Sequence, residues 1–169
     1  EELRPAGKVA VTAGELLESV AAARSFFASS GLRKGDRCAL LAANSTAWAA
    51  VDLAAMAEGL IVVPLYARQG PAELAVMLRD AQPRMVCCGD AALRESVRVA
   101  WPAAAGGPDA PALTLLDEAL AGNAPVGQPA TAGRPPQPTS VAPPLALADD
   151  DPVTIIYTSG TSGEPKGVV

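Results

Sequence analysis

Four short apolar runs, spaced so that a helix fits between each and the next, constrain this chain more than any other feature. They are Cys38-Ala39-Leu40-Leu41-Ala42, Ile61-Val62-Val63-Pro64-Leu65, Met85-Val86-Cys87-Cys88 and Leu113-Thr114-Leu115-Leu116. Each has the length of a strand and carries no charge, the pattern of strands buried on both faces. The intervening segments read as helices. Ser45 caps one that runs through Glu58 and stops at Gly59; Pro71 after Gly70 opens another, with Leu74, Met77, Leu78 and Ala81 on one face; a third covers Ala91 to Ala100. Ahead of the first strand, Thr12-Ala13-Gly14-Glu15 is a capping box, and Val11 and Leu16 are placed as its hydrophobic staple. Leu16, Val20, Ala23 and Phe27 follow at helical spacing, and Gly31 is a fitting stop. Strands alternating with helices in this way imply βαβ crossovers. The expectation is an α/β fold, a largely parallel sheet flanked by helices.

Composition narrows the chemistry. With 13 basic and 18 acidic residues the net charge is −5, and no basic patch is evident, which argues against general nucleic-acid binding. The chain has no histidine, so histidine base catalysis and histidine metal ligation are excluded within it. Cys38, Cys87 and Cys88 all lie in strand-like runs. Neighbours alternate faces along a strand, so Cys87 and Cys88 do not suit a disulfide, and all three read as small buried hydrophobes in a reducing compartment. Trp48 and Trp101 read as core packing. The apolar region from Ala39 to Ala67 is interrupted by Asn44, Asp52, Glu58 and Pro64, so no membrane span is expected, and no signal peptide is visible.

From Ala121 to Pro144 the composition shifts to Pro, Ala, Gly, Thr and Gln, the mark of an extended linker or surface excursion. Asp149-Asp150-Asp151 follows; it lacks the spacing of a calcium loop and reads as a solvated acidic turn. Val153 to Tyr157 then reads as a buried strand, and Val168-Val169 as the start of another. The organisation is an α/β portion over residues 1–120, a linker over 121–148 and a strand–loop–strand unit over 149–169.

That last unit carries the chemistry. Its loop reads Tyr157-Thr158-Ser159-Gly160-Thr161-Ser162-Gly163-Glu164-Pro165-Lys166-Gly167-Val168. Glycines 160, 163 and 167 allow close approach of backbone N–H groups, and Thr158, Ser159, Thr161 and Ser162 add hydroxyls. Lys166 adds a flexible positive charge, and Pro165 restricts the backbone before it. These are the groups a polyphosphate needs. The loop is not a Walker A motif, because Pro165 precedes the lysine and Gly167 follows it. The dinucleotide fingerprint is absent, and the turn after the first sheet strand, Ala43-Asn44-Ser45-Thr46, has no glycine. Tyr66 and Arg68, just past the second sheet strand, sit where a ligand at the carboxyl edge of a sheet could be met, though loop packing also explains them.

Composition alone would make this loop an ordinary solvated turn; its order does not. It closely resembles the signature loop of the adenylate-forming superfamily, which comprises acyl-CoA synthetases, peptide-synthetase adenylation domains and luciferases. Asn44 to Trp48, Ile61 to Tyr66 and Leu74 to Cys88 are similar to the early part of the same proteins. Val63-Pro64-Leu65-Tyr66 and the Thr161-Ser162 order look most like long-chain fatty acyl-CoA ligases. The resemblance implies that the chain is part of the large N-terminal domain of such an enzyme. It further implies ATP, Mg2+ and coenzyme A as ligands of the complete enzyme. A carboxylic acid would attack the α-phosphorus of ATP, and a thiol would then take the acyl group from the adenylate. Thr158, Ser159, Gly160, Thr161, Ser162, Gly163, Lys166 and Gly167 would hold the ATP phosphates. No complete catalytic set and no protein metal site is expected within these residues, which alone should lack ligase activity. A cytoplasmic location is expected, with peripheral membrane contact open to the complete enzyme. Two alternatives stand beside this one: an adenylation domain that loads a carrier-protein thiol, and a non-catalytic nucleotide-binding or interaction module.

Overall fold

The structure, a computed structural model, describes residues 2–4, 7–104, 110–121, 142–159 and 165–169. A short antiparallel pair, β1 (Glu2–Arg4) and β2 (Gly7–Val9), precedes the first helix. Helix α1 spans Ala13–Ser29. Its capping box is formed: the Glu15 amide donates to Thr12 Oγ1 at 3.2 Å and the Thr12 amide donates to Glu15 Oε2 at 2.7 Å. The backbone leaves the helix through Gly31 at φ +75°, a left-handed conformation that suits glycine.

The alternation read from the sequence follows: β3 (Arg37–Leu41), α2 (Thr46–Ala57), β4 (Ile61–Leu65), α3 (Pro71–Ala81), β5 (Met85–Cys88), α4 (Ala91–Ala104) and β6 (Ala112–Leu115). All four strands are parallel, in the order β4-β3-β5-β6. Several boundaries differ from expectation: β3 and β6 each begin one residue early, β3 ends at Leu41 and not Ala42, and α2 ends at Ala57 and not Glu58. Helix α4 continues past Ala100, through Trp101 and Pro102. The fourth strand stops one residue early, because Leu116 opens a short helix, α5 (Leu116–Leu120). Glu118 sets that corner by accepting from the Leu115 amide at 2.8 Å and from the Thr114 hydroxyl at 3.1 Å.

Period-two alternation divides the sheet into two apolar layers. Cys38, Leu40, Val62, Met85 and Cys87 meet α1, α2 and α5, while Ala39, Leu41, Val63, Val86 and Cys88 meet α3 and α4. Phe26 and Phe27 of α1 are buried in the first layer, edge to face with centroids 5.5 Å apart. Helices on both faces bury all four residues of β5. Trp48 and Trp101 pack half-buried against the first and second layers, respectively.

All three cysteines are free and buried. Cys87 and Cys88 do face opposite layers, and Cys38 and Cys87 bring their sulfurs within 3.8 Å across neighbouring strands. The contact with Cys38, together with burial, pushes the Cys87 thiol well up; burial pushes Cys88 up to about 12. Both stay protonated and unreactive at neutral pH.

The chain returns along α2. Arg24, buried in α1, donates to Glu58 at 2.8 Å and to the Ala142 carbonyl at 2.6 Å, and the Leu145 amide donates to the Ala57 carbonyl. Most of the proline-rich segment expected as a linker lies outside the described residues. Of the acidic triplet, Asp151 accepts from Lys34 Nζ at 2.5 Å and from the Ala148 amide at 2.6 Å, a surface turn. Among the described residues no cluster of acidic or cysteine side chains is arranged to hold a metal.

Candidate phosphate-binding hairpin

The segment after the acidic turn joins the open edge of β4. The Val62 amide donates to the Val153 carbonyl, and the Ile155 amide and Thr154 hydroxyl donate to the Val62 carbonyl, at 2.9 to 3.1 Å. The bridge is parallel. The chain therefore runs beside β4 in the direction of the sheet's carboxyl edge, the side on which open α/β sheets bind ligands. It then forms an antiparallel hairpin of β7 (Ile156–Ser159) and β8 (Pro165–Val168).

This corrects the expectation of a buried strand over Val153 to Tyr157. Only the 153–155 segment pairs with the sheet, and Val153 and Ile156 remain 37 % and 51 % exposed. The reason is position. An added edge segment has no helix over both of its faces, so apolar residues there do not guarantee burial.

The register divides the motif between two faces. Thr158 pairs with Lys166 and Ile156 with Val168; these four are exposed. Tyr157 pairs with Gly167, and Tyr157 packs against the second apolar layer. Cross-strand partners hold their Cβ atoms about 4.5–5.5 Å apart. Thr158 and Lys166 thus put a hydroxyl and an ammonium side by side on the solvent face. Ser159 pairs with Pro165 at the end where the loop begins. Gly160, Thr161, Ser162 and Gly163 lie outside the described residues, as does Glu164.

Gly167 has a structural reason of its own. A Cβ built there would stand 2.9 Å from Ile155 Cγ2 and 3.3 Å from two ring carbons of Tyr157. The space a side chain would need is the space the tyrosine ring fills. The hydroxyl of that ring donates to Asp80 Oδ2 of α3 at 2.6 Å and lies 3.4 Å from the Met77 carbonyl. Burial, then the bond to Asp80 and its charge, push the Tyr157 phenol up. Sequence reasoning missed this anchor. Tyr157 was visible as the first residue of the motif, but nothing local marks Asp80.

A second feature lies at the carboxyl ends of β3 and β4. An open cleft of about 460 Å³ is lined there by Ala42, Asn44, Trp48, Pro64, Tyr66 and Arg68. Tyr66 and Arg68, suspected from their place after the strand, are indeed on its wall and exposed. Across the sheet, Gly89 closes the gap between the ends of β3 and β5: a Cβ on it would lie 2.9 Å from Ala42 Cβ and 3.3 Å from Ala42 Cα.

Comparison with known proteins agrees with this architecture. The fold matches a fatty acyl CoA synthetase of Mycobacterium tuberculosis at 26 % identity and a TM-score of 0.70, over 99 % of this chain and 30 % of that one. VinN in complex with L-aspartate matches at 24 % identity and a TM-score of 0.69, over 92 % of this chain and 39 % of that one. The N-terminal subdomain of Klebsiella oxytoca NpsA, in complex with 3-hydroxybenzoyl-AMSN, matches at 22 % identity and a TM-score of 0.65, over 94 % and 33 % of the two chains. The last two likenesses, below one quarter identity, concern the fold alone. This chain spans less than two fifths of the length of these structures. No curated protein sequence matches it. The family model of AMP-binding enzymes matches residues 4–169, from the first hairpin through β8. The chain belongs to the AMP-binding enzyme family.

Proposed function

We propose that this chain is the nucleotide-phosphate-gripping part of an ATP-dependent acid–thiol ligase. In the reaction, a carboxylate oxygen attacks the α-phosphorus of ATP, the bond to the bridging oxygen breaks, and pyrophosphate leaves. The acyl-adenylate then yields its acyl group to a thiol, with AMP departing. The observation that carries this reading is the pairing of Thr158 with Lys166 on the exposed face of a hairpin at the sheet edge.

The first step depends on alignment and charge neutralisation more than on proton transfer. Lys166 supplies a cation to the β- and γ-phosphates, and Thr158 and Ser159 supply hydroxyl donors. The glycine-rich loop from Gly160 to Gly163, with the Gly167 amide, completes the proposed set with Thr161 and Ser162. Their value lies in steadying charge on the departing pyrophosphate. Magnesium bound with the triphosphate would offset further charge, and Thr158 is a described hydroxyl suited to face it. Coenzyme A is the proposed thiol and a fatty acid the proposed acid. Support for both is the likeness to a fatty acyl CoA synthetase along nearly all of this chain.

The test uses the natural polypeptide that carries this chain. Carboxylic-acid-dependent ATP–pyrophosphate exchange is measured with a panel of fatty, aryl and amino acids. Exchange should require one of these acids, and Lys166→Ala should slow it about 100-fold, the usual loss for one preorganised donor. Exchange at the wild-type rate in Lys166→Ala would remove the assignment.

A further inference from the structure

We propose that Tyr157 is a positioning residue for the phosphate-binding hairpin, acting through its hydrogen bond to Asp80 of α3. The inference rests on the phosphate-binding reading above and adds to it the part of the scaffold that sets the geometry.

Three observations converge. The Tyr157 hydroxyl donates to the Asp80 carboxylate at 2.6 Å, so a strand of the hairpin is tied to a helix of the core by a charge-assisted bond. The ring lies in space that only a glycine at position 167 leaves open, between Ile155 and β8. Tyr157 and Gly167 form one cross-strand pair, and Thr158 and Lys166 form the next. The anchor is therefore one residue from each of the two described phosphate-binding side chains, and on the opposite face. A shift of the tyrosine ring moves both. Without the anchor, the hairpin's position would depend on the edge bridge to Val62 and on apolar contact alone. A site that must match a transition state gains from rigid support beneath its contact groups.

The experiment uses the natural polypeptide that carries this chain, with ATP–pyrophosphate exchange and thermal unfolding read together. Tyr157→Phe keeps the ring and deletes the bond. It should lower kcat about tenfold, the value of a hydrogen bond to a charged partner, and leave KM for the carboxylic acid unchanged. Asp80→Ala should match it. Asp80→Asn, which retains an acceptor oxygen, should recover most of the rate. The double variant Tyr157→Phe/Asp80→Ala should be no slower than either single variant. A merely structural bond predicts otherwise: a lower Tm with kcat untouched, and that result overturns the proposal. So does Tyr157→Phe at the wild-type rate. Lys166→Ala, run in parallel, separates the two levels. If it slows exchange while Tyr157→Phe does not, the anchor is refuted and the phosphate assignment stands. If it does not slow exchange, both fall.

Discussion

Strand β5 has all four of its residues buried, whereas the β7–β8 hairpin leaves Ile156 51 % and Val168 56 % exposed. Both are short β-structure, but β5 is Met-Val-Cys-Cys while the hairpin carries Tyr157, Thr158 and Lys166 among its apolar residues. The sheet is covered on two sides by helices and is held by interdigitated apolar layers. The hairpin is held by a three-residue edge bridge, a tyrosine ring and one phenol–carboxylate bond. The hairpin keeps one face in solvent, and that face carries Thr158 and Lys166. The contrast teaches that burial is greatest where helices cover both faces of a sheet, and that polar side chains stay open to solvent where that packing stops.

The comparison can be broken first by cavity formation. Phe26→Ala, beneath the sheet, should cost about 3–5 kcal/mol in denaturant unfolding. Val168→Ala, on the open face of the hairpin, should change stability by less than about 0.5 kcal/mol. Equal losses would mean that the hairpin is part of the cooperative core.

Glycine substitution sharpens it next. Gly89→Ala forces a methyl group against the backbone of Ala42 at the end of β3 and should cost about 1–3 kcal/mol. Gly167→Ala meets Ile155 and the Tyr157 ring instead. Its stability loss should be smaller than that of Gly89→Ala, and its loss of pyrophosphate exchange larger. The reverse order would place the functional geometry in the sheet and not in the hairpin.

The smallest effects are in pH dependence, where the two regions should fail at opposite ends. Glu118, at the corner of β6, is held below its ordinary value of 4.5, chiefly by accepting the Leu115 amide and helped by Thr114 and Arg94. A depressed carboxyl contributes stability above its unfolded value and loses it as pH falls through its folded value. Tyr157 is raised above 10.0, so its contribution is complete below that pH and is lost as pH rises through the higher folded value. Glu118→Gln should therefore flatten the acid limb of a stability–pH curve. Asp80→Asn should let one tyrosine ionise at lower pH in an absorbance titration. An unchanged acid limb or an unchanged tyrosine titration would remove the corresponding assignment.

Much of the sheet was legible because its signals are local. Thr12 and Glu15, Ser45, and Pro71 mark helix starts through backbone groups within four residues of themselves. The strands were legible from unbroken apolar runs, and the opposite facing of Cys87 and Cys88 follows from strand geometry alone. The hairpin was legible as a motif, but its exposure was not. The run from Val153 to Tyr157 looks buried by composition, yet only its neighbours could decide that. Gly167 reads in sequence as a backbone N–H left open to close approach; the structure adds that a side chain there would meet Ile155 and the Tyr157 ring. The short helix at Leu116 was missed because the apolar run continues into it. Its signal, Glu118 placed to cap the Leu115 amide, lay three residues further on.

By itself, the order of residues determined the α/β class, the parallel pairing and the presence of a loop rich in hydroxyls, glycine and a lysine. Periodicity, capping and side-chain chemistry act over a few residues, so they can be read along the chain. Only the tertiary structure decided the strand order β4-β3-β5-β6, the docking of Thr154 on the edge of β4, and the meetings of Cys38 with Cys87 and of Tyr157 with Asp80. Four apolar strands of similar length are nearly interchangeable as partners. Which of them pair, and what their helices then present to a distant tyrosine, depends on packing the whole chain at once.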